Sequence, residues 1–181
     1  EREGNNLFLR VPVSMATAAL GGLKTFFNML GPLVNPSRPQ NQLVGVFNLE
    51  VARTYHYILQ ETDLNYGVLH SLDGYDEISL TSPFKLFSRE GEKIVSPEDL
   101  GLKTLQQSEI FGGNSVPEAA KIFKNILEGK GTEAQNNVVL TNAAFALKTL
   151  EQKKSFEAAF ADAESSLLGL KAKKCLELII E

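Results

Sequence analysis

The chain has 181 residues, of which 22% are charged, and a formal net charge of −4 at pH 7. This length is enough for one domain that buries roughly 70% of its unfolded surface. The absence of a basic block disfavours a sequence-independent nucleic-acid surface. Since no segment approaches a run of about 18 apolar residues, we expect no membrane span. The sequence offers its single cysteine, Cys175, no disulfide partner, so we expect a buried thiol and a cytoplasmic location.

The first part of the chain predicts alternating strands and helices. Residues 42–47 (QLVGVF) form a nearly continuous apolar run, typical of a buried parallel strand, and residues 66–70 form a second. Asn48 is positioned to cap a helix between them. Because a strand–helix–strand unit produces parallel pairing, we expect a parallel sheet here. The other predicted segments are a helix over residues 14–30, a proline-rich loop over 31–42 and the crossover helix over 49–60.

The rest of the chain predicts short strands followed by helices. Residues 77–80 and 84–88 are predicted strands, and REGEK at 89–93 predicts a hairpin turn. The predicted helix caps in this part are Ser96, Ser115, Thr132 and Ser155. Ser115 and Thr132 each open a predicted capping box. The predicted fold class is α/β: a mixed, largely parallel sheet flanked by helices, with a helical C-terminal third.

A polar turn follows the second strand in the segment VLHSLDGYDEIS (68–79). We call residues 72–77 the acidic turn, because they carry Asp73, Asp76 and Glu77. Carboxylates clustered at the end of a strand suit a hard cation such as Mg²⁺, and through it a substrate phosphate. The alternative is a solvated turn in which Asp73 shapes the bend through its own backbone. The residues alone leave both interpretations open.

Three further residues are candidates for substrate binding. Asn35 and Arg38 lie in the loop LGPLVNPSRP (30–39), whose prolines stiffen the backbone and suit it to shape a pocket. A plain crossover between helix and strand is the alternative for this loop. His70 ends the second strand beside the acidic turn and can line the same site. His56, within the crossover helix, is expected to be structural.

Three segments together resemble the anthranilate phosphoribosyltransferases in order and spacing. They are FFNMLGPLVNPSRPQNQLVGV, VLHSLDGYDEISL and GGNSVPEAAKIFKNILEGKGTEAQNNVVLTNAAFAL. The resemblance covers roughly the C-terminal half of that family's usual chain. It divides this chain into a poorly matching segment, 1–22, and the C-terminal portion of a phosphoribosyltransferase α/β domain, 23–181. The implied fold is similar to that of the class II nucleoside phosphorylases.

The resemblance implies an activity and a set of ligands. Anthranilate would displace pyrophosphate from phosphoribosyl pyrophosphate, a step of tryptophan biosynthesis. Asp76 and Glu77 match the family's Mg²⁺-binding pair, and no catalytic residue is implied in this chain. The full-length protein is expected to be a cytoplasmic homodimer, with neither nucleic acid nor membrane as a partner.

Several parts of the family pattern are missing. The glycine-rich phosphoribosyl-pyrophosphate loop and the Lys-His-Gly-Asn segment are absent, and MATAALGG stands where an anthranilate-binding arginine is expected, near Ala18. The chain also begins at Glu1 rather than at a methionine, so we expect a piece of something longer or a processed product. Because the resemblance places the other walls of the site outside this chain, we expect it to be inactive alone. Two alternatives stay open. One is a diverged relative that has lost the anthranilate site and binds another ligand, and the other is a relative of the pyrimidine nucleoside phosphorylases.

Overall fold

The computed structural model describes residues 2–3, 6–7 and 30–180. The chain divides into two compact units, Glu1–Gln40 and Asn41–Glu181. In the first unit, β1 (Arg2–Glu3) pairs antiparallel with β2 (Asn6–Leu7). The predicted helix over 14–30 lies outside the described residues, apart from its last position.

The second unit is built on a four-stranded mixed sheet. Its strands are β3 (Asn41–Gly45), β4 (Asn65–Ser71), β5 (Phe84–Ser88) and β6 (Gly91–Val95), in the order β3-β4-β5-β6. The strand–helix–strand prediction is confirmed, since β3 and β4 pair in parallel. The other two strand pairs are antiparallel, so fewer of the pairs are parallel than expected. Two residues separate β5 from β6, which is too short for a parallel crossover.

Helices follow and flank the strands in the second unit. The predicted crossover helix is confirmed as α1, and the helical C-terminal third is confirmed as the remaining helices. Their bounds are α1 (Leu49–Gln60), α2 (Val116–Leu127), α3 (Glu133–Leu150), α4 (Phe156–Leu168) and α5 (Lys171–Ile180). Short 3₁₀ turns occupy Glu98–Leu100 and Gln107–Ile110.

The helix starts follow their capping residues. Asn48 Oδ1 accepts a hydrogen bond from the Val51 N–H at 2.8 Å, as predicted for the start of α1. Thr132 and Gln135 form the reciprocal capping box predicted for α3. The box predicted at Ser115 is only half formed. Its hydroxyl accepts from the Glu118 N–H, but the Glu118 carboxylate reaches past it to the N–H of Asn114.

Around β4 the sheet is covered on both faces, which explains why β4 is buried along most of its length. On one face, Val68 and its cross-strand partner Phe87 lie towards α1, where the ring of His56 contacts Phe87 at 5.4 Å between centroids. On the other face, Phe84 packs edge-on against Phe145 of α3 at 5.2 Å. The two faces fix which side of the sheet each residue of β4 addresses, because side chains alternate along a strand.

Residues 77–80, predicted as a strand, form none, so that prediction is wrong. Ile78 and Leu80 are fully buried, and Leu80 adopts φ 59°, which interrupts an extended backbone. Both belong to the apolar cluster that includes Phe145. The alternation of apolar residues here reflects burial beneath α3 and not pairing in the sheet.

Cys175 on α5 is exposed, so the expected buried thiol is wrong. The partly buried positions of α5 are Ala172, Lys173 and Leu176, and Cys175 falls outside that strip. Across the helices in the described ranges, we find none with the length and apolar character to span a bilayer.

Candidate metal centre

The acidic turn lies at the carboxyl edge of the parallel pair, directly after β4. In parallel sheets, ligands bind beyond the carboxyl ends of the strands. The side chains of Asp76 and Glu77 are both exposed at this edge. Two exposed carboxylates at this edge are chemically suited to a cation in contact with water.

Ser71, the last residue of β4, ties the returning chain to the strand. Its side chain is fully buried, and its hydroxyl donates to the carbonyl oxygen of Glu77 at 2.6 Å. The Ser71 hydroxyl oxygen also accepts a hydrogen bond from the N–H of Ser79 at 3.3 Å. The backbone on the C-terminal side of the acidic pair is thus attached to the end of β4.

Gly45, the last residue of β3, lies directly against the backbone of Asp76. A Cβ atom added to Gly45 would stand 1.6 Å from the Asp76 carbonyl oxygen, a separation that no side chain can occupy. An isolated glycine inside a strand often marks such a close approach of backbone. The glycine in QLVGVF therefore allows the backbone of Asp76 to lie against the end of β3.

Asn142 of α3 holds the next residue of the turn segment. Its Oδ1 accepts from the Ile78 N–H at 3.0 Å, and its Nδ2 donates to the Ile78 carbonyl oxygen at 2.8 Å. Nδ2 also donates to the Val138 carbonyl oxygen at 2.9 Å, within the helix. One side chain thus satisfies both backbone groups of a buried residue outside any strand.

Asp73 is engaged inside the turn, unlike Asp76 and Glu77. Its carboxylate accepts from the hydroxyls of Ser79, at 3.4 Å, and of Thr81. Its N–H donates to the hydroxyl of Ser82 at 3.2 Å. Asp73 therefore helps to shape the bend, with its carboxylate as well as its backbone, and the exposed pair is left to face solvent.

The donor set fits magnesium better than a metal that requires a complete protein cage. In the part of the chain that the structure describes, no three His, Cys, Asp or Glu side chains come together as a metal cluster. Mg²⁺ keeps several waters and is commonly held by one or two carboxylates together with substrate phosphates. Two adjacent exposed carboxylates on a fixed backbone match that requirement.

The two histidines are bonded within the fold. His70 is 7% exposed, and its Nδ1 lies 2.8 Å from the carbonyl oxygen of Val46, which requires Nδ1 to carry the proton. It thereby fastens the chain just beyond β3, and its predicted role in substrate binding stays a prediction. His56 Nδ1 lies 2.9 Å from the hydroxyl of Tyr66, in keeping with the structural role expected of it.

The remaining predicted residues, Asn35 and Arg38, lie in the first unit and are exposed. Asn35 Oδ1 accepts from the N–H of Ser37 at 3.0 Å and from its hydroxyl at 2.8 Å, which closes a local turn. The Arg38 N–H donates to the Asn35 carbonyl oxygen at 3.1 Å, and Arg38 adopts φ 45°. Their part in substrate binding stays a prediction.

A cavity of about 100 Å³ lies at the opposite end of β4, beside Tyr66 and Gly67. Two of the cations on its wall are hydrogen-bonded to backbone oxygens. Arg89 donates to the carbonyl oxygens of Leu64 and Thr62, and Lys148 donates to that of Lys154. Burial raises the pKa of Tyr66, and the charge of Arg89 opposes part of that rise. These contacts support a structural role for this end of the sheet.

Comparison with known proteins decides the family. The sequence profile of the "Glycosyl transferase family, a/b domain" matches residues 12–172, most of the chain. The chain belongs to this glycosyl transferase family. The family is one of transferases, and its α/β domain agrees with the mixed sheet and flanking helices described above.

Within the glycosyl transferase family, the chain is similar to anthranilate phosphoribosyltransferases. It is 56% identical over 159 residues to the one from Flavobacterium johnsoniae, covering 88% of this chain and 48% of that protein. It is 50% identical to the one from Bacteroides fragilis YCH46, with the same coverage. The resemblance seen in the three sequence segments is confirmed, and the chain spans about half the length of the curated relatives it matches.

Solved structures support the same fold. Anthranilate phosphoribosyltransferase from Thermus thermophilus superposes with a TM-score of 0.74 at 24% identity, covering 90% of this chain and 50% of that one. The enzyme from Saccharomyces cerevisiae, in a complex described as containing PRPP and Mg, gives a TM-score of 0.72 at 21% identity, covering 89% of this chain and 48% of that one. At these identities the likeness establishes the glycosyl transferase fold alone.

Proposed function

We propose that this chain forms the metal-binding part of an anthranilate phosphoribosyltransferase. The reaction of the whole protein would join anthranilate to phosphoribosyl pyrophosphate and release pyrophosphate, as a step of tryptophan biosynthesis. The sequence identity of 50–56% to proteins of that name supports the substrates. The single structural observation that carries the proposal is the exposed pair Asp76 and Glu77 on a backbone fixed at the carboxyl edge of the sheet.

Asp76 and Glu77 are the residues that would hold Mg²⁺. Bound there, the ion would neutralise charge on the departing pyrophosphate and help to orient it. The chain's own contribution is positional: Gly45 and Ser71 fix the backbone from which the two carboxylates project. Holding reacting groups in a defined geometry is a large part of catalysis for reactions of this kind.

The wider setting is also part of the proposal. Residues 23–181 would be the C-terminal portion of the transferase α/β domain, and the full-length protein would act as a homodimer in the cytoplasm. Because the chain spans about half the length of its relatives, residues of the other half that contact the substrates would be missing from it. We therefore expect the 181-residue polypeptide alone to show no turnover with anthranilate and phosphoribosyl pyrophosphate. Measurable turnover by the polypeptide alone would contradict this expectation.

A chimera tests the activity. Residues 23–181 would replace the matching segment of the Flavobacterium johnsoniae relative, to which this chain is 56% identical. The proposal predicts Mg²⁺-dependent formation of phosphoribosyl anthranilate by the chimera. Turnover should be lost when Asp76→Asn and Glu77→Gln are introduced together.

The matched control removes two carboxylates from the other end of β4. Glu61 and Asp63 are exposed and precede that strand, so Glu61→Gln with Asp63→Asn makes the same change of charge away from the acidic turn. Turnover should persist in this control. A folded chimera that shows no turnover, or one that tolerates loss of the acidic pair, would overturn the proposal.

A further inference from the structure

The side chain of Asn142 links α3 to the residue that follows the acidic pair. It accepts from the N–H and donates to the carbonyl oxygen of Ile78, at 3.0 and 2.8 Å. We infer that Asn142 is a positioning residue for the proposed metal pair. By holding the backbone at Ile78, it would fix the directions in which the side chains of Asp76 and Glu77 project. This inference rests on the proposed metal role of that pair.

The identity of residue 142 is not explained by the helix itself. Asparagine is unfavourable in a helix interior, because its amide competes with the backbone for hydrogen bonds. Its neighbours Leu140, Thr141 and Ala144 are buried. A polar amide in this setting is accounted for by its bonds, since Oδ1 serves Ile78 and Nδ2 serves both Ile78 and Val138.

Ile78 needs this partner because of where it lies. It is fully buried, and no strand pairs with it, so its N–H and carbonyl oxygen would otherwise stay unsatisfied. An apolar residue at position 142 would leave two buried backbone groups without these bonds. The segment would then have to move or admit water.

Three consecutive residues are in this way anchored by three different elements. Asp76 lies against Gly45 of β3, the carbonyl oxygen of Glu77 is bonded by Ser71 of β4, and Ile78 is bonded by Asn142 of α3. The backbone of the acidic pair is thus held by β3 and β4, and α3 holds the residue that follows the pair. Because Mg²⁺ demands near-ideal geometry, freeing one anchor should weaken binding even though both carboxylates remain.

The test measures the backbone and the metal separately, on the 181-residue chain with Mn²⁺ as the probe. Mn²⁺ suits the same carboxylate and water ligands as Mg²⁺, and it broadens the amide signals of nearby residues in nuclear magnetic resonance spectra. In Asn142→Leu, the Ile78 amide should exchange faster with solvent. Mn²⁺ affinity at residues 76–78 should fall by about ten- to a hundredfold, the usual loss when a group that orients a metal ligand is removed.

Leu140→Ala is the matched control on the same helix. Leu140 packs against Ala163 and Leu167 of α4, and its cluster does not include the acidic turn. This variant should lower the stability of the fold while Mn²⁺ affinity and the exchange of Ile78 stay unchanged. An equal loss of Mn²⁺ affinity in Leu140→Ala would reduce Asn142 to a general structural role and overturn the inference.

The remaining outcomes separate the inference from the function on which it rests. If Asn142→Leu frees the Ile78 amide and Mn²⁺ affinity is unchanged, the inference is wrong and the metal pair still stands. If Asp76→Asn with Glu77→Gln leaves Mn²⁺ affinity unchanged, the metal role itself is wrong and the inference falls with it. Should Asn142→Leu not fold, Asn142→Ser replaces it, because a serine hydroxyl is too short to bridge both backbone groups of Ile78.

Discussion

Gly45 and Asp76 meet backbone to backbone, so that a Cβ atom on Gly45 would stand 1.6 Å from the carbonyl oxygen of Asp76. The end of β3 therefore lies against the backbone of Asp76, the first residue of the proposed metal pair. Gly45 has no side chain, yet its contact with Asp76 helps to set the geometry of the proposed site.

Gly45→Ala should displace the acidic turn. The new methyl group cannot fit against a backbone oxygen, so either β3 or the turn must move, at a cost of about 1–3 kcal/mol in the free energy of unfolding. Urea unfolding measures that cost, and Mn²⁺ binding should weaken in the same variant. Gly112→Ala is the control, because nothing lies within 4 Å of a Cβ there, and its stability should be close to that of the native chain. Equal behaviour of the two variants would contradict the close approach.

Ser71→Ala should destabilise the fold, because the Ser71 hydroxyl is buried and makes two hydrogen bonds to backbone groups. The change removes a donor to the Glu77 carbonyl oxygen and an acceptor for the Ser79 N–H, both in a buried setting. Leaving such groups without partners costs about 1–3 kcal/mol, which chemical unfolding can resolve. Ser88→Ala is the comparison. Its hydroxyl accepts a single bond, from the exposed N–H of Glu90, so its loss should be smaller.

Local sequence signals were sufficient for much of the fold. Asn48 and Thr132 cap their helices through neighbours three residues away, and Phe84–Ser88 is a strand as predicted. The strand predicted at 77–80 was wrong because alternating burial beneath α3 imitates the pattern of a strand. The prediction that Cys175 is buried was wrong, because a helical apolar pattern does not reveal how much of α5 is covered by other elements.

The proposed site was predicted only in part. Asp76 and Glu77 stand out because carboxylates cluster after an apolar run, and the prediction that they bind metal awaits a test. The supports of the pair were missed, since they depend on contacts that are remote along the chain: Asn142 is 64 residues from Ile78. Two signals were available in the sequence. A lone glycine interrupts the apolar run of β3, and Thr141-Asn142 interrupts an otherwise apolar stretch of α3.

Alkaline pH should destabilise the second unit through Tyr66. Burial raises the pKa of its phenol above the ordinary value, with partial opposition from the charge of Arg89. A group whose pKa is raised on folding contributes stability that is fully present below its unfolded pKa, about 10, and is lost as the pH rises through the folded value. The free energy of unfolding should therefore fall as the pH rises above about 10, the unfolded pKa of the phenol.

Tyr66→Phe isolates that effect. It removes the ionisable group and the hydrogen bond to His56, so it should lower stability at neutral pH and flatten the dependence above about pH 10. Urea unfolding at a series of pH values reads out both changes. The same alkaline slope in the variant would assign the effect to other groups, among them Tyr55, whose pKa is also raised by burial.

The most direct test is whether Asp76 and Glu77 bind a divalent cation. Amide signals of the 181-residue chain would be followed during Mn²⁺ addition, in the native sequence and in Asp76→Asn with Glu77→Gln. We predict broadening centred on residues 76–78 in the native chain, competed by Mg²⁺ and absent from the variant. Broadening centred elsewhere in the native chain, or unchanged broadening in the variant, would contradict the metal site.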